Sequence, residues 1–175
     1  DLRKIQEAEA SARKSIEINP NLFNSHFLLA KILVGQKKLQ EAEQSLRKTI
    51  ELKPDFSQAH SALGVLLGEL GNIEGAEISI RKSIELNPDY DEAHYSLGNI
   101  LKNLGNLQGA ENSYRKAIEL NPGYAKAYYS LSLILSKSKR YKEALSIIDE
   151  CCLYDPNNYL YQGEKKRIEL LLSID

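Results

Sequence analysis

Three histidines, two cysteines and four arginine–lysine pairs are the residues of this chain best suited to chemistry. Their spacing decides what they do. His26, His60 and His94 are the only histidines, and they recur at one constant interval. Ligands of one metal ion must all sit about 2 Å from it, whereas equivalent positions on packed helices lie about 8–10 Å apart. The interval therefore assigns the histidines to packing. Cys151 and Cys152 are adjacent, with no CxxC and no neighbouring ligand set. They read as small apolar residues of a helix rather than as redox or metal groups. The absence of a disulfide framework mildly favours a reducing, cytoplasmic setting.

Arg-Lys pairs recur at 13–14, 47–48, 81–82 and 115–116. Stacked in space they would make a basic stripe for phosphate. Each Arg, however, has a Glu four residues before it (Glu9, Glu43, Glu77, Glu111) and another four after (Glu17, Glu51, Glu85, Glu119). Such helix-surface ion pairs contribute about 0.2–0.5 kcal/mol each and neutralise the stripe. With a net charge of -1, the chain has no global pull toward nucleic acid or membrane. No Ser-His-Asp set, phosphate loop or paired carboxylates occur at meaningful spacing. The sequence thus predicts neither an enzyme nor a cofactor site.

What positions these residues is a period. The five prolines, Pro20, Pro54, Pro88, Pro122 and Pro156, keep the same constant interval as the histidines, within IEINP, IELKP, IELNP, IELNP and CLYDP. A fixed interval of this length marks stacked units that cannot bury their apolar faces alone. Complete units run 23–56, 57–90, 91–124 and 125–158, with a half unit at 1–22 and a further helix at 159–175.

Each unit predicts two helices and no strand. Leu63, Leu66, Leu67 and Leu70 fall on one face of the first helix, as do Leu97, Ile100, Leu101 and Leu104 in the next unit. Gly71-Asn72 and Gly105-Asn106 then give a left-handed turn and an N-cap. In two units Lys37 and Lys139 replace that glycine, at a cost of about 1 kcal/mol each if the turn is kept. Each proline stops the second helix by disfavouring the α conformation in the residue before it. Small residues recur on both helices (Ala30, Gly64, Gly98, Ser132; Ala8, Ala42, Ala76, Ala110, Ala144) and predict close crossings. Asp1 falls within a unit and the chain has no Met, so a longer parent protein is expected. Residues 159–175 are read as a capping helix with a polar outer face, or else as a lead into another domain, because Lys165 and Lys166 stand where other units have Leu and Gly.

The period, the Leu-Gly pairs Leu63-Gly64 and Leu97-Gly98, the recurrent Ala and the closing Pro resemble the tetratricopeptide repeat over residues 1–158. Pentatricopeptide repeats, which read RNA, are typically one residue longer. The resemblance implies an all-α, right-handed superhelical solenoid of antiparallel helix pairs, in one array over 1–175. It also implies that the first helices line a concave groove. By position that groove holds Asn24, Phe27, Lys31, Gln58, Ser61, Val65, Tyr95, Asn99, Lys102, Asn103, Tyr129, Leu133 and Lys137. The rings offer apolar anchors, the asparagines offer bonds to a peptide backbone, and the lysines favour acidic groups or a C-terminal carboxylate. Two specialised patterns do not fit. Val65 and Leu133 break the lysine–asparagine clamp of chaperone-tail binders. Leu28, Ala62, Ser96 and Ser130 stand where the glycosyltransferase arrays carry an asparagine ladder. The expected function is protein–protein interaction through a peptide or helix of a partner. The alternatives are a substrate-recruiting arm of a larger enzyme, such as a transferase, and end-to-end self-association.

Overall fold

The structure is a computed structural model and describes residues 2–173. Among these residues there are ten α-helices and no strand, as the periodicity predicts. Helix α1 (Leu2–Ile18) is followed by four pairs: α2 (Phe23–Gly35) with α3 (Leu39–Leu52), α4 (Ser57–Glu69) with α5 (Ile73–Leu86), α6 (Asp91–Asn103) with α7 (Leu107–Leu120), and α8 (Ala125–Lys137) with α9 (Tyr141–Tyr154). Helix α10 (Tyr159–Leu172) comes last. The helices divide into two compact units, one ending at Pro88 and one from Asp89 on. In the first, each of α1 to α4 packs on the helix that follows it. In the second, α6 to α9 do the same, and α10 also touches α8.

The small residues set how closely each pair crosses. A Cβ at Gly64 would lie 2.6 Å from Ile80 Cγ1 and 2.9 Å from the Ala76 carbonyl oxygen. At Gly98 it would lie 2.5 Å from Tyr114 Cε1. The first helix therefore receives the bulky residue one turn beyond the recurrent alanine, not only the alanine itself. Ala42, Ala76, Ala110 and Ala144 are all fully buried, as are Ile80, Tyr114 and Ile148. In α1, Ala12 is buried, whereas Ala8 and Ile5 are exposed.

Helix α10 turns Tyr161, Glu164 and Ile168 inward, while Leu171 and Leu172 are only half-buried. Its Lys165 reaches Asp149 of α9 at 2.7 Å, and Arg167 Nη2 donates to Ser136 Oγ of α8 at 2.8 Å. This accounts for Asp149, which stands where earlier second helices carry Arg. The outer face of α10 is mixed rather than polar, since Tyr159 and Leu170 share it with Lys166 and Glu169.

Two turn chemistries join the helix pairs. In α4–α5 and α6–α7, Gly71 and Gly105 take φ of 83° and 79°. Asn72 Oδ1 then accepts from Gly75 N–H, and Asn106 Oδ1 from Gly109 N–H, both at 2.9 Å. A Cβ on Gly75 or Gly109 would come within 2.8 Å of the capping side chain. In α2–α3 and α8–α9, Lys37 and Lys139 hold the same left-handed turn at φ of 61° and 60°. Here the Asn is replaced by Lys38 or Arg140, neither of which caps through its side chain, and the glycine by Glu41 or Glu143. These residues reach the preceding second helix instead. Lys38 Nζ lies 3.3 Å from Glu9 Oε2, and Arg13 Nη2 lies 2.9 Å from Glu41 Oε2. Arg140 Nη1 lies 2.6 Å from Glu111 Oε2, and Arg115 bonds Glu143. Gln36 Nε2 adds a 2.7 Å bond to Glu9.

The Gln36 and Arg13 hydrogen bonds hold the Glu9 carboxyl down at about 2, well under the usual carboxylate range. Burial pushes Glu111 up, but bonds from Arg140 and Arg115 outweigh it and leave that carboxyl below its ordinary value.

Replacing Lys37 or Lys139 by Gly should stabilise the chain by up to about 1 kcal/mol each, read as a rise of about 2–4 °C in Tm. Ala76→Leu should cost about 1–3 kcal/mol by overpacking; an unchanged Tm would contradict the crossing described. A carboxylate with a depressed pKa stabilises fully above its unfolded value of 4.5, and that contribution is lost as pH falls through about 2. Glu9→Gln should therefore lower Tm at neutral pH, and its deficit should shrink steadily between about pH 4.5 and pH 2. A deficit that does not change with pH would remove the ion network as its source.

Candidate functional site

The histidines have a structural task. His26 Nε2 lies 2.9 Å from the Pro20 carbonyl oxygen, and His60 Nε2 lies 2.8 Å from that of Pro54. Gln162 falls at the same place in the period as His26, and it donates to the Pro156 carbonyl at 3.0 Å. A side-chain nitrogen at this position ties the start of a first helix to the turn behind it.

Cys151 is fully buried and its thiol donates to the Ala125 carbonyl at 3.2 Å. Ser83 makes the matching bond to the Ser57 carbonyl at 2.8 Å. Burial pushes the Cys151 thiol up to about 12, which keeps it a poor nucleophile. Cys152 is half-buried. Among the described residues, no three His, Cys, Asp or Glu side chains are disposed to hold a metal ion.

The arginine–lysine pairs are met by acids. Arg47 and Arg81 bond Glu43 and Glu77 at 2.8 and 2.7 Å, one helical turn back. The trailing glutamates go to the lysines rather than the arginines. Lys48–Glu51 and Lys82–Glu85 close at 2.7 Å, and Lys116–Glu119 at 2.6 Å.

On the first helices of the first unit, Phe27 is half-buried and meets Phe56 edge-on at 5.0 Å, and Phe56 also takes Phe23 at 5.3 Å. The chain's own lysines lie over these rings. Lys53 Nζ is 4.9 Å from the Phe23 centroid, and Lys31 Nζ is 5.9 Å from that of Phe27. Asn24, Gln58, Lys31 and Val65 are exposed, whereas Ser61 is buried.

On those of the second unit, Tyr95 is half-buried between Tyr124 at 5.0 Å and Tyr114 at 5.7 Å. The Tyr114 hydroxyl donates to Asn99 Oδ1 at 2.8 Å. Tyr129 tilts against Tyr161 at 5.2 Å. Burial raises both phenols. Rings of α8 and α10 thus meet directly, while Tyr95 of α6 rests on Tyr114 and Tyr124. Lys102 and Leu133 are half-buried, and Asn103 and Lys137 are exposed.

Sequence reasoning found Phe27, Tyr95 and Tyr129 but missed the rings behind them. The signal was present, because Phe56, Tyr90 and Tyr124 recur with the period of the prolines. Phe56 follows Phe27, and Tyr124 follows Tyr95, at the same separation along the chain.

Among the described residues, no helix is long and apolar enough to cross a membrane. Comparison with curated proteins returns no match. Among solved structures, the chain is similar in fold to pilF of Pseudomonas aeruginosa, with TM-score 0.89 and 18% identity over 98% of this chain and 78% of that one. It is similar to MamA, with TM-score 0.77 and 24% identity over 87% and 89%. It is also similar to YrrB, described as a TPR protein with an unusual peptide-binding site, with TM-score 0.74 and 22% identity over 94% and 85%. Three family models, each described as a tetratricopeptide repeat, match residues 91–124, residues 12–44 and 113–146, and residues 57–90. With the constant period, paired helices and small-residue crossings in place, the chain belongs to the tetratricopeptide repeat family.

Proposed function

We propose that this chain is a protein-interaction module that takes an extended peptide segment of a partner on its first-helix faces. One observation carries the reading. Phe27, Tyr95 and Tyr129 occupy the same position of three repeats, and each is half-buried and backed by a second ring. A ring held in this way presents a pre-ordered apolar surface, so little of its own side-chain entropy is lost when a ligand packs on it. One helical turn on, Lys31 and Asn99 offer a cation and an amide to a peptide carboxylate or carbonyl. The YrrB description supports the reading, since a protein of this fold has a peptide-binding site. The task assigned to these residues is binding rather than turnover. His26 and His60 are engaged by proline carbonyls, and the Cys151 thiol is pushed up.

Truncating Tyr95 or Tyr129 would remove packing against Tyr114, Tyr124 or Tyr161 as well as any ligand contact. Charge reversal at Lys102 and Lys137 avoids that confusion. A displayed library of random dodecapeptides panned on the chain should enrich binders that lose about tenfold in affinity on Lys102→Glu/Lys137→Glu, with Tm unchanged. Peptides that bind the chain, the double variant and Lys31→Glu alike would place the contact elsewhere and overturn the proposal.

A further inference from the structure

The aromatic residues are divided by type. All three phenylalanines lie before Pro88, and all ten tyrosines lie at or after Tyr90. Both kinds fill the same repeat positions, since Phe27 corresponds to Tyr95 and Tyr129, and Phe56 to Tyr124. The second unit therefore adds hydroxyl groups where the first has bare rings.

Its remaining polar groups are mostly donors. The Tyr114 hydroxyl donates to the Asn99 oxygen, which fixes the amide's orientation and leaves its nitrogen free to donate to a ligand. Lys102 and Lys137 can only donate. The two carboxylates at the start of α6 are already engaged, Glu92 by the Tyr90 hydroxyl and Asp91 by Asn121 Nδ2, both at 2.6 Å.

A face of tyrosine rings and donors is complementary to one kind of peptide. A proline-rich segment in the polyproline II form carries carbonyls without matching N–H groups and forms no internal hydrogen bonds. Its pyrrolidine rings pack on aromatic faces. Tyr95 and Tyr129 hold the same position of adjacent repeats, so both can take prolines of one segment.

We propose that the first-helix face of the second unit binds proline-rich segments in the polyproline II conformation. Tyr95 and Tyr129 act as the two ring platforms, with the Asn99 amide donating to a carbonyl between them. The inference rests on the peptide-module reading and narrows its ligand class.

The probe is a decaproline peptide, with a glycine–serine decamer as control. The chain has no Trp and all its Tyr lie in the second unit, so intrinsic tyrosine fluorescence reports on this unit alone. Decaproline should give a saturable change and the control none. Asn99→Ala should weaken binding about fivefold, the loss of one hydrogen bond, while Lys48→Ala, on the ion-paired row of α3, should leave it unchanged. Because Asn99→Ala also frees the Tyr114 hydroxyl, Lys102→Ala serves as a second variant that should also weaken binding, and circular dichroism checks that both fold. A chain that ignores decaproline up to millimolar concentration overturns the inference. Library peptides that bind this face without proline overturn it while sparing the peptide-module reading. A library with no binders at all removes both.

Discussion

The closeness of the two helices within a pair is the constraint on which the rest depends. A two-helix unit has too little interior to bury its own apolar face, so each helix must serve two neighbours at once. Glycine at 64 and 98 lets the first helix accept Ile80 or Tyr114 almost against its backbone. The second helix is thereby fixed in rotation, and its opposite side presents the ion-paired row. The first helix is fixed as well, with its remaining face carrying Phe27, Tyr95 or Tyr129. The candidate surface is thus a by-product of packing. The residues left over once both neighbours are satisfied are those a ligand can reach.

The turns show how one backbone shape is held by two chemistries. Gly-Asn-x-x-Gly is local: the asparagine caps the next helix, and the second glycine leaves room for it. Lys-Lys-x-x-Glu and Lys-Arg-x-x-Glu are non-local, because they accept left-handed strain at the lysine and bond the preceding second helix. The exchange is concerted. A glutamate at the Gly75 position would crowd the Asn72 cap, and a glycine at the Glu41 position would leave Arg13 without its partner in α3. Local capping is insensitive to salt, whereas the ion network is screened by it, so the repeats of one chain differ in what weakens them.

Much of this was legible in the sequence. Proline spacing placed the second-helix ends, Gly-Asn pairs placed two turns, and the recurrent alanines from Ala42 onward marked buried positions. What the sequence hid was partnership. His26 and His60 were assigned to packing by spacing alone, but they bond the proline carbonyl behind them, as does Gln162 at the equivalent place of a later repeat, whereas Tyr128 at that place packs on Tyr154. The Glu-Arg spacing predicted ion pairs, yet Glu51, Glu85 and Glu119 bind the neighbouring lysines, because helix geometry brings i and i+3 as close as i and i+4. Ser61 shares its repeat position with three aromatics, and position alone does not reveal that a small side chain there is buried. Leu153, exposed where four repeats carry Glu, shows a departure for which the structure offers no partner.

The division of Phe from Tyr has a physical meaning that repeat position alone does not supply. A phenylalanine and a tyrosine fill one slot with nearly equal apolar area, so the fold does not choose between them. In the first unit, lysines cover the rings, which suits a cation–π contact that needs only a π face. In the second, rings tile on rings, and one hydroxyl, that of Tyr114, is used to orient Asn99. Orientation matters more than the bond itself. An amide free to flip can turn either its oxygen or its nitrogen toward a ligand, whereas one whose oxygen is held keeps its N–H groups in one fixed direction. A single buried hydroxyl thereby gives a polarity to a surface otherwise built from packing leftovers, and polarity is what separates a ligand-selective face from a merely apolar one.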